Sequence, residues 1–117
     1  MVRSHKDLIV WQKSFELTKY VYILTASLPS NERYGLVSQM QRCAVSVPSN
    51  IAEGHQRNNT KEYRQFLGIA KGSVAELETQ LLLIKDIYGI DINRELNLLT
   101  EVQKMLAVLI RNLTPKP

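Results

Sequence analysis

An all-α, antiparallel up-and-down four-helix bundle is the architecture this sequence predicts, on three observations. Apolar residues recur at helical spacing along four stretches, no stretch sustains period-two alternation, and Gly and Pro are scarce. With 117 residues, 44% of them hydrophobic, residues 1–117 can bury one core but not two, so a single domain is expected. The connectors are short, which makes sequence neighbours antiparallel partners.

The first helix is predicted over residue 8 to about residue 27. Leu8, Trp11, Phe15, Val21, Tyr22 and Leu24 form a broad apolar stripe, and Lys13, Glu16 and Lys19 lie outside it. Pro29 and Ser30 close that helix. Ser30 or Asn31 then caps the second, with Glu32 in its first turn. Within residues 33–54, Val37, Met40, Ala44, Val47 and Ile51 share one face. Pro48 lacks an N–H and crowds the carbonyl four residues back, so a kink is expected there, with Gly54 as a left-handed cap. Asn59 and Glu62 form a capping box for a third helix over roughly residues 60–88. Tyr63, Phe66, Leu67, Ala70, Val74, Leu77, Leu81, Ile84 and Tyr88 track its core face, and Gly89 ends it. Asp91 or Asn93 opens the fourth helix. Leu96, Leu99, Val102, Leu106, Leu109, Ile110 and Leu113 repeat the pattern until Thr114-Pro115 stops it.

Two features exceed what a generic bundle needs. On the second helix Gln39, Arg42, Ser46, Asn50 and Glu53 form a polar row roughly 130° from the apolar face. The row has two readings. Within the protomer, Arg42 pairs with a carboxylate and Asn50 bridges carbonyls freed at Pro48. Between protomers, the row meets its counterpart, or Glu76 on the third helix, and an Arg42–Glu pair sets the register of assembly. The second feature is Gly68 and Gly72, each costing about 1 kcal/mol in a helix interior. Four residues apart, they cut a shallow notch away from the core stripe, which suits close approach by a neighbouring subunit.

Catalytic chemistry finds little support. Cys43 lies in an apolar stretch and reads as a small core residue suited to a reducing, cytoplasmic compartment. His5 and His55 have no second ligand at helical spacing, so no metal site is expected, and no phosphate-binding loop or cofactor motif is present. Ser46 and Ser73 have no base nearby in the sequence, and no enzyme activity is expected. The start, MVRSHKDLIVWQKS, lacks a signal-peptide pattern, and no apolar run approaches the ~18 residues of a membrane span.

Charge points toward nucleic acid. The net charge is +4, and it is uneven. Residues 1–71 carry ten Lys/Arg against five Asp/Glu, whereas residues 72–117 carry five against six. Arg57, Lys61, Arg64 and Lys71 line a narrow strip roughly 140° from the core stripe of the third helix. Such a strip suits phosphate contact, and it is also what a solvated helix face looks like. Four phosphate contacts give a log–log salt slope of about −3.6, so one protomer would lose roughly 150-fold affinity between 50 and 200 mM salt. Repetition in an oligomer restores avidity. No aromatics interleave with the strip, so contact would be to the backbone and sequence-tolerant.

The blocks DLIVWQKS, ERYGLVSQMQR, AVSVPSNIAEG and EYRQFLGIAKGSVAELETQL, spread over residues 7–81, together resemble the four-helix-bundle proteins encoded within bacterial 23S rRNA intervening sequences. The resemblance implies a small cytoplasmic bacterial protein that assembles into a homopentameric ring with a basic surface and carries no established activity. A related group accompanies reverse transcriptases of retroelements, where a similar bundle binds nucleic acid and the polymerase. Arg42, Ser46, Asn50, Glu53 and Gly54 match the motif in the second helix, and Phe66, Gly72, Ser73 and Glu76 match it in the third. From this follow two expected roles: RNA or DNA binding by an assembled ring, or protein-interaction scaffolding, for example as an accessory subunit of a polymerase.

Overall fold

The computed structural model describes residues 3–116, so Met1, Val2 and Pro117 lie outside the described residues. Its helices are α1 (Ile9–Thr25), α2 (Ser38–His55), α3 (Thr60–Tyr88) and α4 (Asn93–Leu113), with no strand among the described residues. A 3-10 turn, His5–Asp7, precedes α1. A second one, Ser30–Glu32, and a π-turn, Arg33–Val37, link α1 to α2. Ser4 caps the first turn and Asp7 reaches back to its backbone.

Each helix packs on its sequence neighbour, and α4 closes on α1. Cross-helix pairs give the directions. Thr18 and Thr25 of α1 meet Ala44 and Gln41 of α2. Ser46 of α2, and Arg57 just beyond it, meet Ser73 and Phe66 of α3. Lys13 and Tyr20 of α1 meet Glu101 and Arg94 of α4. In every set one number rises as the other falls, so the four helices alternate in direction. The predicted all-α bundle is what forms.

Leu17, Met40, Ile51, Leu67, Leu81, Leu99 and Leu106 sit fully buried at its centre. On α3 the predicted stripe is the core face: Leu67, Ala70, Val74, Leu77, Leu81 and Ile84 are all buried. Helix boundaries follow local chemistry. The Asn59 side chain accepts from the Glu62 N–H at 2.8 Å and opens α3, and Gly89, at φ 66°, closes it in the left-handed conformation. Asp91 accepts from the Asn93 N–H at 2.9 Å where α4 begins.

On α1 the stripe is rotated from expectation. Its core side is Val10, Ser14, Leu17, Val21 and Leu24, while Phe15 and Tyr22 remain 48% and 46% exposed. This helix is apolar on two sides, and α2 and α4 cover only one of them.

Three features of α2 also differ from expectation. It starts at Ser38 rather than near Asn31, because Gly35 takes non-helical angles (φ −110°, ψ −111°). Beside it Glu32 is held by the Tyr88 hydroxyl, which donates at 2.5 Å. The second difference is at Pro48, which α2 passes through as one continuous helix. The carbonyl that Pro48 leaves without its usual donor is that of Ala44, and the Thr18 hydroxyl of α1 lies 3.0 Å from it. Asn50 instead donates to the Ser46 carbonyl at 2.7 Å. The third is Gly54, which is not a left-handed cap: Gly89 is the only described residue with positive φ, and α2 continues to His55. Gly54 is small for another reason. A Cβ there would lie 2.8 Å from the Phe66 Cβ and 3.3 Å from the Tyr63 carbonyl oxygen, so its hydrogen lets α2 approach α3.

Candidate nucleic-acid and assembly interface

The four cations predicted as one strip separate into two kinds. Lys61 and Lys71 are exposed on α3 and have no carboxylate partner among the described residues. Arg57 is held at 2.8 Å by Glu53, one helical turn earlier, and its guanidinium lies 4.9 Å from the Phe66 ring centre. Arg64 donates to the Leu113 carbonyl at 3.0 Å and so satisfies an orphan acceptor at the end of α4. The two arginines fasten one end of the bundle, and the two lysines face water.

The polar row divides in the same way. Its centre holds α2 to α3 within the protomer: the Ser46 and Ser73 hydroxyls lie 2.8 Å apart, and Asn50 donates to the Ser46 hydroxyl at 3.0 Å. Glu53 is taken by Arg57. Gln39 and Arg42 are exposed, and Arg42 has no ion pair among the described residues. Across the seam, Glu76 is exposed and accepts only a long bond from Gln80, at 3.4 Å. Gln80 is buried, and its side-chain carbonyl oxygen has no partner among the described residues. Gly68 and Gly72 are exposed, and a Cβ on either would meet nothing within 4 Å. The notch read from the sequence is present and unfilled.

Cys43 is buried and its thiol donates to the Ser73 carbonyl at 3.0 Å. Burial first, then the Glu76 charge, pushes its pKa up to about 12. The folded protein is expected to react with iodoacetamide at pH 9 several hundred-fold more slowly than the unfolded chain, since its thiolate fraction is of order 10⁻³. Mass spectrometry of timed aliquots checks this; equal rates would contradict the burial. The unfolded thiol releases its proton first, so this group's contribution to stability is present below pH 9 and is lost as pH climbs toward 12.

Sequence reasoning missed one surface. Between α1 and α2 runs a groove of about 710 Å³ walled by Trp11, Phe15, Tyr22, Ile23 and Val45, with Pro48 at its base. The Trp11 and Phe15 rings stack against each other at 5.0 Å. The signal was available, because α1 has more apolar residues than one face can hold.

Among the described residues no helix is long and apolar enough to cross a membrane, and no three His, Cys, Asp or Glu side chains cluster as metal ligands would. The fold and surface thus define a small all-α bundle with a mixed polar and apolar exterior. A family model of 23S rRNA-intervening sequence proteins matches residues 6–111, and the chain belongs to that family. A search of curated proteins finds no match.

Proposed function

We propose that this protein is a non-catalytic bundle that assembles with itself into a ring, five subunits in the pattern its family resemblance implies, and binds RNA or DNA through its basic surface in the bacterial cytoplasm. The observation that carries the binding reading is the pair Lys61 and Lys71, exposed and unpaired on one side of α3. Two phosphate contacts give a slope of about −1.8, a loss of only roughly 12-fold between 50 and 200 mM salt. Two contacts also mean weak binding, so a useful affinity depends on repeating them around an oligomer. Glu53 and the α4 terminus compete with phosphate for Arg57 and Arg64, which makes these two the weaker contributors.

Retention on single-stranded nucleic acid across a salt series tests this reading. Lys61→Gln combined with Lys71→Gln should keep the helical circular dichroism and make the log–log slope shallower by about 1.4 for each protomer engaged on a single strand, against about 1.8 on a double helix. Binding that is absent, or indifferent to salt, overturns it. The aromatic groove between α1 and α2 favours a second reading, a scaffold or accessory subunit that engages protein, for example a reverse transcriptase, without touching nucleic acid.

A further inference from the structure

Two unlike apolar surfaces flank α2. The first is the concave groove on its α1 side, with Lys19 on the rim and no Asp or Glu in the lining. The second is convex and belongs to α3, where Ile69, Leu83 and Ile87 are 52%, 44% and 58% exposed. At 100° per residue these three fall within roughly 60° of one another, together with Gly72 and Glu76. Lys71 and Lys85 lie roughly 130° or more from the middle of that face, whereas the exposed Lys61 lies roughly 50° from it, about two turns before Ile69. The ridge is therefore apolar with Glu76 set within it, between Ile69 and Leu83, and Gly68 and Gly72 leave an open notch beside it.

We propose that the α3 ridge of one copy seats in the α1/α2 groove of the next. This rests on the self-assembly proposed above and assigns its two faces. Shape favours the match, since a ridge with a notch meets a groove whose rim carries the half-exposed ring of Phe15. Charge favours it as well: Lys19 has no carboxylate partner among the described residues, and Glu76 has no cation. The depression between α1 and α4 is excluded as the groove's partner, because it is concave and carries Lys104. Because groove and ridge lie on α1 and α3, on opposite sides of α2, the contact is head-to-tail, and successive copies either close into a ring or extend as a filament.

Paired variants test the assignment. Phe15→Asp spoils the groove and leaves the ridge, whereas Leu83→Asp does the reverse. Both positions are exposed, so each variant should keep the helical signal of the parent; Ile23→Asp and Ile87→Asp replace them if it does not. By light scattering after gel filtration, each variant alone should run at the 13.4 kDa monomer mass. Their equimolar mixture should give a dimer of twice that mass and nothing larger, since one good groove and one good ridge remain. A variant that assembles like the parent, or a mixture that stays monomeric, overturns the head-to-tail assignment and leaves self-assembly standing. A parent protein that is itself monomeric overturns the assembly reading.

Discussion

Gly54→Val is expected to lower the unfolding free energy by about 2–3 kcal/mol and the melting temperature by roughly 10 °C. The first atom of the new side chain would sit 2.8 Å from the Phe66 Cβ and 3.1 Å from the Tyr63 ring. Turning the partly exposed Tyr63 ring does not relieve the contact with the Phe66 Cβ or the Tyr63 carbonyl oxygen. A Cβ moves only with its backbone, so α2 and α3 must separate along the seam they share. Helix propensity runs the other way, because Gly is about 1 kcal/mol worse than Ala in a helix interior. The contact outweighs it, since a shift of the helix loosens Ile51 and Leu67 as well as the residues touched. Gly68→Ala and Gly72→Ala make the contrast, each expected to stabilise the isolated protomer by about 0.5–1 kcal/mol because nothing lies within 4 Å of the new methyl. Urea denaturation of the three variants checks the ordering. A Gly54→Val protein as stable as its parent would show that the helices are not in close contact there.

Gly54 also shows where local reading stops. A glycine that follows a helical run and precedes HQRNNT looks like a terminator, because the cap is the local use of glycine. The actual use, letting two helices approach, depends on Tyr63 and Phe66 across the turn and is a tertiary fact. Gly89 has no such neighbour and reads correctly. The apolar face of α3 is equally legible, since one unbroken stripe leaves a single way to turn the helix. On α1 two stripes compete, Val10–Leu17–Val21–Leu24 and Trp11–Phe15–Tyr22, and bulk misleads: Phe15 and Tyr22 are left outside and Trp11 is only partly buried. The charge strip is only partly legible for a similar reason. Spacing places Arg57, Lys61, Arg64 and Lys71 on one line, but spacing says nothing of Glu53 one turn earlier or of the Leu113 carbonyl at the far end of the chain. Partners that compete with phosphate for two of the four cations make repetition in an oligomer matter more to the proposed affinity.

Thr18→Val should cost about 1–2 kcal/mol in the parent protein and much less when Pro48 is replaced by Ala. The shape of the side chain is nearly kept, so the loss reports the hydroxyl. Proline gives the Ala44 carbonyl no donor from within α2, and Ala44 is fully buried. The Thr18 hydroxyl lies 3.0 Å from that carbonyl and 2.8 Å from the carbonyl of Ser14, so one proton is shared between two acceptors. Replacing Pro48 by Ala supplies a backbone N–H in the ordinary helical position, and the Ala44 carbonyl no longer needs α1. The two changes should therefore couple by about 1 kcal/mol in a double-mutant cycle, whatever packing each alters alone. Equal cost of Thr18→Val in both backgrounds would mean that the proton belongs to Ser14 and that Pro48 is accommodated by other means. If the coupling is found, α2 runs unbroken through a proline because a neighbouring helix supplies the missing donor. Val45, Pro48 and Ala52 are then held in line as one wall of the groove.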